Sequence, residues 1–369
     1  MAVITVLSLP PEILSQIFSN LNPFDLASVA KTFNRQFYHA ALQVLKPSIP
    51  WMQNAQRMCS LFSTSREGLL MPSFPGHIGT FSPDWTHRNV DIPTGDCERF
   101  GLNPAKSPYV RCSPPDLRSW MKLDGTFDWL EPLDEKTAKQ MGPHTGPVGA
   151  RPVAPDWKVD DFIKQTERLG LTLPQGFDTF LRSEHLHYRI PSSSAWYFYL
   201  DGIIECPSCI DGGAGGYLVR FYFDQQYCAF SHLYMNKSGN HCILYTDIDL
   251  YSFNPAAWGD EDSEQSNRVS LEEMIRRDYG EDHDVRDEIP IVGVTFEEYL
   301  ASVYFEELLN FRAPPSKALR EYVAHVYRPA AEVKPMREYN TAIKSFFDEW
   351  QRRRKNDIAG VLGDESIGE

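Results

Sequence analysis

The chain has 369 residues, a formal net charge of −14, 42% hydrophobic residues and 23% charged residues. That length suggests two or three domains, and the composition is that of a soluble globular protein, which excludes wholesale disorder. The acidic balance argues against general nucleic-acid binding, which needs a basic face to displace counterions.

Other broad classes are set aside in the same way. No apolar run approaches the roughly 18 residues of a membrane span. The opening M-A-V-I-T-V-L lacks the basic region of a secretory signal. Seven cysteines in a chain without such a signal read as reduced thiols, so a cytoplasmic or nuclear location, or both, is expected. There is no internal repeat of fixed period.

In chain order, the first organised stretch is Leu7 to Leu42, which predicts three short helices. Pro10 and Pro11 suit a first helical turn, where a missing N–H costs nothing, and Glu12 favours the positive end of the helix. Leu14, Ile17, Phe18 and Leu21 follow at helical spacing. Asn22-Pro23 ends that helix, Asp25 can cap a second starting at Leu26, and Phe33, Phe37, Ala41 and Val44 make an apolar row on a third. Below about 40 residues a chain rarely buries enough surface to stand alone. Leu9, Ile13, Ile17 and Leu21 cannot all face the same side as Leu14 and Phe18. The stretch therefore reads either as a helical subdomain packed on the rest of the chain or as a docking module that completes its core on a partner.

The pattern Leu9-Pro10-x-Glu12-Ile13-Leu14-x-x-Ile17-Phe18-x-x-Leu21-x-Pro23-x-Asp25-Leu26, followed by Asn34-Arg35-Gln36-Phe37-Tyr38, resembles the F-box. The family has more apolar residues where Lys31 and Thr32 stand. The resemblance implies binding to the adaptor subunit of an SCF-type cullin ubiquitin ligase. In that reading Leu9, Pro10, Ile13, Ile17, Leu21 and Leu26 form the apolar seam toward the adaptor, and Glu12 and Asp25 orient the helix starts.

Residues 60–150 hold 11 of the 27 prolines, so irregular backbone is expected there. Trp85, Phe100, Tyr109, Trp120, Phe127, Trp129 and Leu130 are too many large apolar groups for free solvent. This stretch is expected to wrap over the following domain rather than act as an empty linker. From Trp157 regular structure returns. Val159 to Gly170 reads as an amphipathic helix closed at a left-handed glycine, Leu171 to Pro174 as extended chain, and Gln175 to Arg182 as a second helix with Phe177, Phe180 and Leu181 inward. Ala195–Leu200, Tyr217–Phe223, Tyr227–Tyr234 and His241–Tyr245 read as strands. Short turns at Asp224-Gln225 and Ser238-Gly239-Asn240 predict an antiparallel sheet.

Phe162-Ile163-x-x-x-Glu167-x-Leu169-Gly170-x-x-Leu173-Pro174-x-x-Phe177-x-x-Phe180-Leu181, with the later Thr295-Phe296-Glu297-Glu298-Tyr299-Leu300, resembles the SUKH superfamily. Members follow the second helix with a glycine-rich turn, where this chain has Ser183-Glu184-His185-Leu186-His187. The resemblance implies an α+β fold used mainly for protein binding. Further on, residues 259–288 carry 12 Asp or Glu against 4 Arg, a charge run read as a solvated loop. An amphipathic helix is predicted over 296–311, with Tyr299, Val303, Leu308 and Phe311 apolar. Pro314-Pro315 breaks it before another helix from Ser316 to Tyr327. A last helix is predicted over 337–355, and its terminal Arg352-Arg353-Arg354-Lys355 suits the helix dipole.

Few residues suggest chemistry. Cys206-Pro207-Ser208-Cys209 could be reduced thiols, half of a zinc site or a redox dithiol. Cys228, His232, His241 and Cys242 are the further ligands available, but no second pair has standard spacing. The surroundings are β-rich rather than a helix start, so reduced thiols are the preferred reading. Gly212-Gly213-Ala214-Gly215-Gly216 reads as a flexible hairpin loop, since no Lys-Ser/Thr follows. His185 and His187 could ligate a metal from one strand face but read as ordinary surface histidines. No nucleophile–base pair has local support.

The sequence therefore predicts a multidomain protein: a small all-α three-helix F-box-like module plus an α+β domain with an antiparallel sheet flanked by helices. The expected divisions are 1–50 for the module, 51–156 for the proline-rich region, 157–330 for the SUKH-like domain and 331–369 for the C-terminal helix and tail. The expected function is a non-enzymatic substrate receptor that needs no cofactor or metal. It would be partnered by the ligase adaptor, through it by cullin, and by an unknown client protein, with no nucleic acid or membrane. The alternative is a regulatory or scaffold protein whose F-box serves only its own turnover.

Overall fold

The computed structural model describes residues 10–18, 37, 40–41, 44, 49–62, 100, 109–111, 117, 120–141, 151–193, 196–254, 269–281 and 283–329. The chain divides into two compact units, residues 1–56 with 334–369, and residues 57–333. In the first unit, helix α1 (Pro11–Phe18) begins at the proline expected to open it. Leu14 and Phe18, one turn apart, are both buried, and Phe18 meets Phe37 edge-on at 5.7 Å. Helix α2 (Ile49–Phe62) begins in this unit, with Pro50 in its first turn, and its residues from Arg57 on belong to the second. The second and third helices expected over residues 26–44, apart from helical backbone at 37, 40–41 and 44, and the helix expected over 337–355 lie outside the described residues.

The second unit is built on a sheet. Its strands are β2 (Trp196–Phe198), β3 (Ile204–Glu205), β4 (Tyr217–Asp224), β5 (Phe230–Met235), β6 (His241–Thr246) and β7 (Ile291–Gly293). They run in the order β2-β4-β5-β6-β7, with β3 also paired to β4, and every pairing is antiparallel. Two short turns make β4, β5 and β6 a meander, as alternating turn signals and apolar runs require. β5 is buried along its whole length, so the sheet is covered on both faces.

One face carries Val219, Phe221, Ser231, Leu233, Ile243 and Tyr245. It packs on helices α4 (Asp156–Leu169), α5 (Phe177–Arg182) and α8 (Phe296–Asn310). α4 ends at Gly170, whose φ of 69° is left-handed and is most easily taken by glycine. Phe177 and Phe180 of α5 meet Phe296 of α8 at 4.7 and 5.6 Å, and Ser231 and Tyr299 share a hydrogen bond of 2.8 Å. Such edge-on ring pairs add to the area they bury. The other face is covered by Ile204, Ile210, Leu250, Leu271 and Ile275, all buried.

Helix α8 departs from the expectation. It is not amphipathic: every residue from Phe296 to Leu308 is buried, Glu297, Glu298, Glu306 and Glu307 included. Buried carboxylates persist only when hydrogen-bonded, and each of these is. Glu297 accepts from the Trp129 indole at 2.8 Å and the Gly125 N–H at 2.7 Å. Glu298 accepts from the Leu117 N–H at 3.2 Å. Glu306 takes the hydroxyls of Tyr322 and Tyr327, both at 2.6 Å. Glu307 takes the N–H of Ser193 at 2.8 Å. Burial pushes the Glu307 carboxyl up to about 8 and raises that of Glu297. α8 is therefore the central post of the unit, and its four carboxylates fasten the irregular segment 117–130, the turn before β2, and the end of α9 (Lys317–Val326) with the strand that follows it.

Where described, the segment between α2 and α4 has irregular backbone apart from the short strand β1 (Tyr109–Arg111) and helix α3 (Glu135–Met141). Leu117, Phe127 and Leu130 are buried in the same core, with Phe100, Trp120 and Trp129 packed against it. β1 (Tyr109–Arg111) pairs antiparallel with β8 (Tyr327–Pro329). Residues 259–288 are not a loop throughout. Leu271–Tyr279 forms helix α7, opened by a capping box in which Ser270 and Glu273 each bond the other's backbone N–H. The charge run hid it because only Leu271 and Ile275 face inward.

Candidate functional site

In α1, positions i and i+4 share a face. Leu14 and Phe18 take the buried face. Ile13 and Ile17 stand on another, 40% and 44% exposed, beside exposed Pro10 and Glu12. Two β-branched apolar side chains one turn apart are thus left open to solvent on this helix. Leu9, Leu21, Asp25 and Leu26, the other residues expected in that seam, lie outside the described residues.

The Cys206–Cys209 motif has a different setting from the one expected. Cys206 and Pro207 lead into a single helical turn, α6 (Ser208–Asp211), so the motif does sit at a helix start. The setting nonetheless favours the protonated thiols over the thiolates. Burial raises the Cys206 thiol far above its ordinary value. Burial, with Glu272 beside it, pushes Cys209 up to about 11. A redox dithiol needs its thiolate favoured, and here it is suppressed. Cys228 donates its thiol to Asp224 at 3.1 Å. Among the described residues, no group of three or more His, Cys, Asp or Glu side chains is placed to hold a metal ion. His187 lies in a 3-10 turn, His187–Arg189, not on a strand.

The glycine loop is fixed rather than flexible. The buried carboxylate of Asp211 accepts the N–H groups of Gly213 at 3.0 Å, Ala214 at 3.2 Å and Gly216 at 2.8 Å, and the Tyr234 hydroxyl at 3.2 Å. Gly216 is required: a Cβ there would lie 2.1 Å from the Tyr234 ring. Between the loop and α7, a cleft of about 360 Å³ is lined by Cys209, Glu272, Arg276, His283 and Arg286, among others.

A second polar centre was not visible in the sequence. Arg220, nearly buried on β4, bonds Asp201 at 2.5 Å and Asp249 at 2.9 Å. Its guanidinium lies among the rings of Tyr251, Tyr227, Phe230 and Phe223, at 4.6 to 5.8 Å from their centroids. Across the strand pair sits His232, fully buried, with no hydrogen-bond partner at either ring nitrogen among the described residues. Burial, with Arg220 beside it, lowers its pKa to about 3. The alternation Arg220-x-Tyr222 inside an apolar strand was the only sequence signal for this centre.

Comparison with known proteins supports one part of the chain. Residues 6–44 match the F-box-like family model, which places an F-box-like segment at the N-terminus. F-box domains generally bind adaptors in cullin complexes, and the segment suggests a role in ubiquitin-ligase substrate recognition in general terms. No curated protein and no solved structure matches the chain, and nothing in these comparisons supports a SUKH-like domain.

Proposed function

We propose that this protein is the substrate-receptor subunit of an SCF-type cullin ubiquitin ligase. The observation that carries this is the exposed Ile13–Ile17 face of α1 inside the segment matching the F-box-like family. Leu9, Pro10, Ile13, Ile17, Leu21 and Leu26 dock on the adaptor, and Glu12 and Asp25 orient the helix starts. The remainder of the chain recruits a client protein. The receptor raises the local concentration of client near a ubiquitin-loaded enzyme and does no bond chemistry itself.

The division into residues 1–50, 51–156, 157–330 and 331–369 belongs to the same proposal, as does a cytoplasmic or nuclear location. The helix, Leu-x-Leu-Pro hinge, helix, meander and closing helix of the second unit follow the order that the SUKH resemblance implies, and support a protein-binding role for it. Co-expression of the full chain with the adaptor and cullin tests the assembly. The proposal expects a stoichiometric complex, and a chain that elutes alone would overturn it. Ubiquitin transfer to a bound client, beyond self-modification, separates the receptor from a scaffold that uses its F-box only for its own turnover.

A further inference from the structure

β2 is the terminal strand of the sheet, and an aromatic surface lies along it. Tyr197 and Tyr199, two residues apart and so on one face, are 42% and 44% exposed, and Tyr227 in the β4–β5 turn is 49% exposed. The three converge on half-buried Phe223, with ring centroids 6.5, 6.1 and 4.9 Å from it. Phe198, between the two strand tyrosines, points the other way and stacks on Tyr222. Each outer ring packs on Phe223 with part of its surface and leaves the rest open to solvent. Rigid, half-exposed tyrosines bring large contact area at little entropic cost, which is why they concentrate at binding surfaces.

Tyr227 adds a second observation. Its φ is +60°, a left-handed conformation disfavoured for a bulky L residue. Glycine or asparagine fits such hairpin positions without strain. The fold holds a tyrosine there in spite of that, with its ring laid against Phe223 and Phe230. Backbone strain kept for a side chain marks use of that side chain.

Charge decides the occupant. Under the rings, two carboxylates, Asp201 and Asp249, bracket the single guanidinium of Arg220, and counted with Asp247 the carboxylates outnumber the cations Arg220 and Lys158 by one. Asp247 is exposed near the same turn, and the ammonium of Lys158 lies 4.3 Å from the Tyr199 ring. The rings already accept cations on their faces, Arg220 from within and Lys158 at the rim. We infer that the Tyr197–Tyr199–Tyr227 surface binds an arginine-bearing segment of the client, stacking its guanidinium on the tyrosine rings over the Asp201–Arg220–Asp249 centre. The word client rests on the receptor reading above, whereas the surface and its ligand chemistry do not. Arginine fits better than lysine because its planar group stacks as well as carries charge.

The test is a titration of the full chain with a labelled short peptide bearing two arginines among glycine and serine. Peptides with lysine or glutamate at the same positions serve as controls. The arginine peptide should bind, the lysine peptide more weakly, and the glutamate peptide not at all. Tyr199→Ser with Tyr227→Gly should weaken arginine binding about tenfold, while the unfolding midpoint stays level, because glycine relieves the strain at residue 227. No arginine binding, equal binding of lysine, or equal binding by the double variant would overturn the inference; the last two would indicate attraction to the acidic chain at large. Adaptor binding is measured on the same samples. A chain that binds adaptor but not the arginine peptide refutes this surface alone. One that binds the peptide but not adaptor refutes the receptor reading and leaves the surface standing.

Discussion

Replacing His232 by leucine should remove much of the protein's sensitivity to acid. The ring is fully buried, and neither nitrogen has a hydrogen-bond partner among the described residues. The charged groups facing it are Arg220 with its partners Asp201 and Asp249, and the Tyr251 ring lies stacked at 6.1 Å. Burial and Arg220 hold its pKa near 3 against an ordinary 6.5. The folded state therefore keeps the ring neutral, while the unfolded chain takes up a proton below pH 6.5. Stability is lost as pH falls from 6.5 toward 3. Between about pH 7.5 and about pH 5 the loss is about 2 kcal/mol from this one residue. His187 and His241, each lowered to about 4 by burial, act with the same sign. Leucine has a similar volume and leaves no polar atom unpaired, so His232→Leu should match or exceed the wild type near neutral pH. Urea denaturation at the two pH values measures both. The wild-type free energy should fall by about 2 kcal/mol more than the variant's. Parallel falls would refute the assignment of His232 as a neutral group held in the fold.

Other perturbations follow from the same contacts. Glu307, neutral in the fold with its pKa near 8 against an ordinary 4.5, destabilises the fold as pH rises from 4.5 to 8. Glu307→Gln should flatten the alkaline limb of the stability profile, and an unchanged limb would count against it. Gly216→Ala places a Cβ 2.1 Å from the Tyr234 ring, whose hydroxyl is tied to Asp211; about 1–3 kcal/mol or more should be lost, and an unmoved denaturation midpoint would contradict this. Glu306→Leu removes the shared acceptor of Tyr322 and Tyr327 and should cost about 2 kcal/mol or more. Adding Tyr322→Phe should recover part of that loss, and strict additivity would refute the coupling. Arg220→Met leaves Asp201 and Asp249 without their guanidinium. Because Asp249 is partly exposed, a loss of about 2–3 kcal/mol is expected, shrinking at low pH as the carboxylates take up protons.

What the sequence disclosed depended on how local the cause was. The α4 helix with its Gly170 cap, the inward Phe177 and Phe180, and the meander of Tyr217–Asp224 with its neighbours were legible, because period and turn chemistry act over a few residues. In α1 the helical spacing grouped Ile17 with Leu14 and Phe18, and the structure instead buries Leu14 and Phe18 and leaves Ile17 with Ile13 exposed. The burial of α8 was not legible either. Glu297 and Glu298 read as solvent-facing until their donors, more than 165 residues earlier in the chain, are seen. Asp211 and Arg220 were hidden likewise: one carboxylate closes a glycine loop, and one guanidinium finds partners on both sides in sequence. The charge run over 259–288 misled because two apolar residues suffice to seat helix α7 once a capping box sets its start. The tyrosine surface escaped notice because Tyr197 and Tyr199 look like strand residues, and nothing in the sequence marks the positive φ of Tyr227.

The central claim is that the Ile13–Ile17 face of α1 docks on the ligase adaptor. Calorimetric titration of purified full-length chain with purified adaptor, wild type against Ile13→Ala with Ile17→Ala, tests it most directly. Both side chains are already exposed, so their truncation should leave the unfolding midpoint unchanged. Binding should weaken by roughly 2 kcal/mol for each interface anchor, about thirtyfold. Wild-type binding that is absent, or equal in the double variant, would contradict the account.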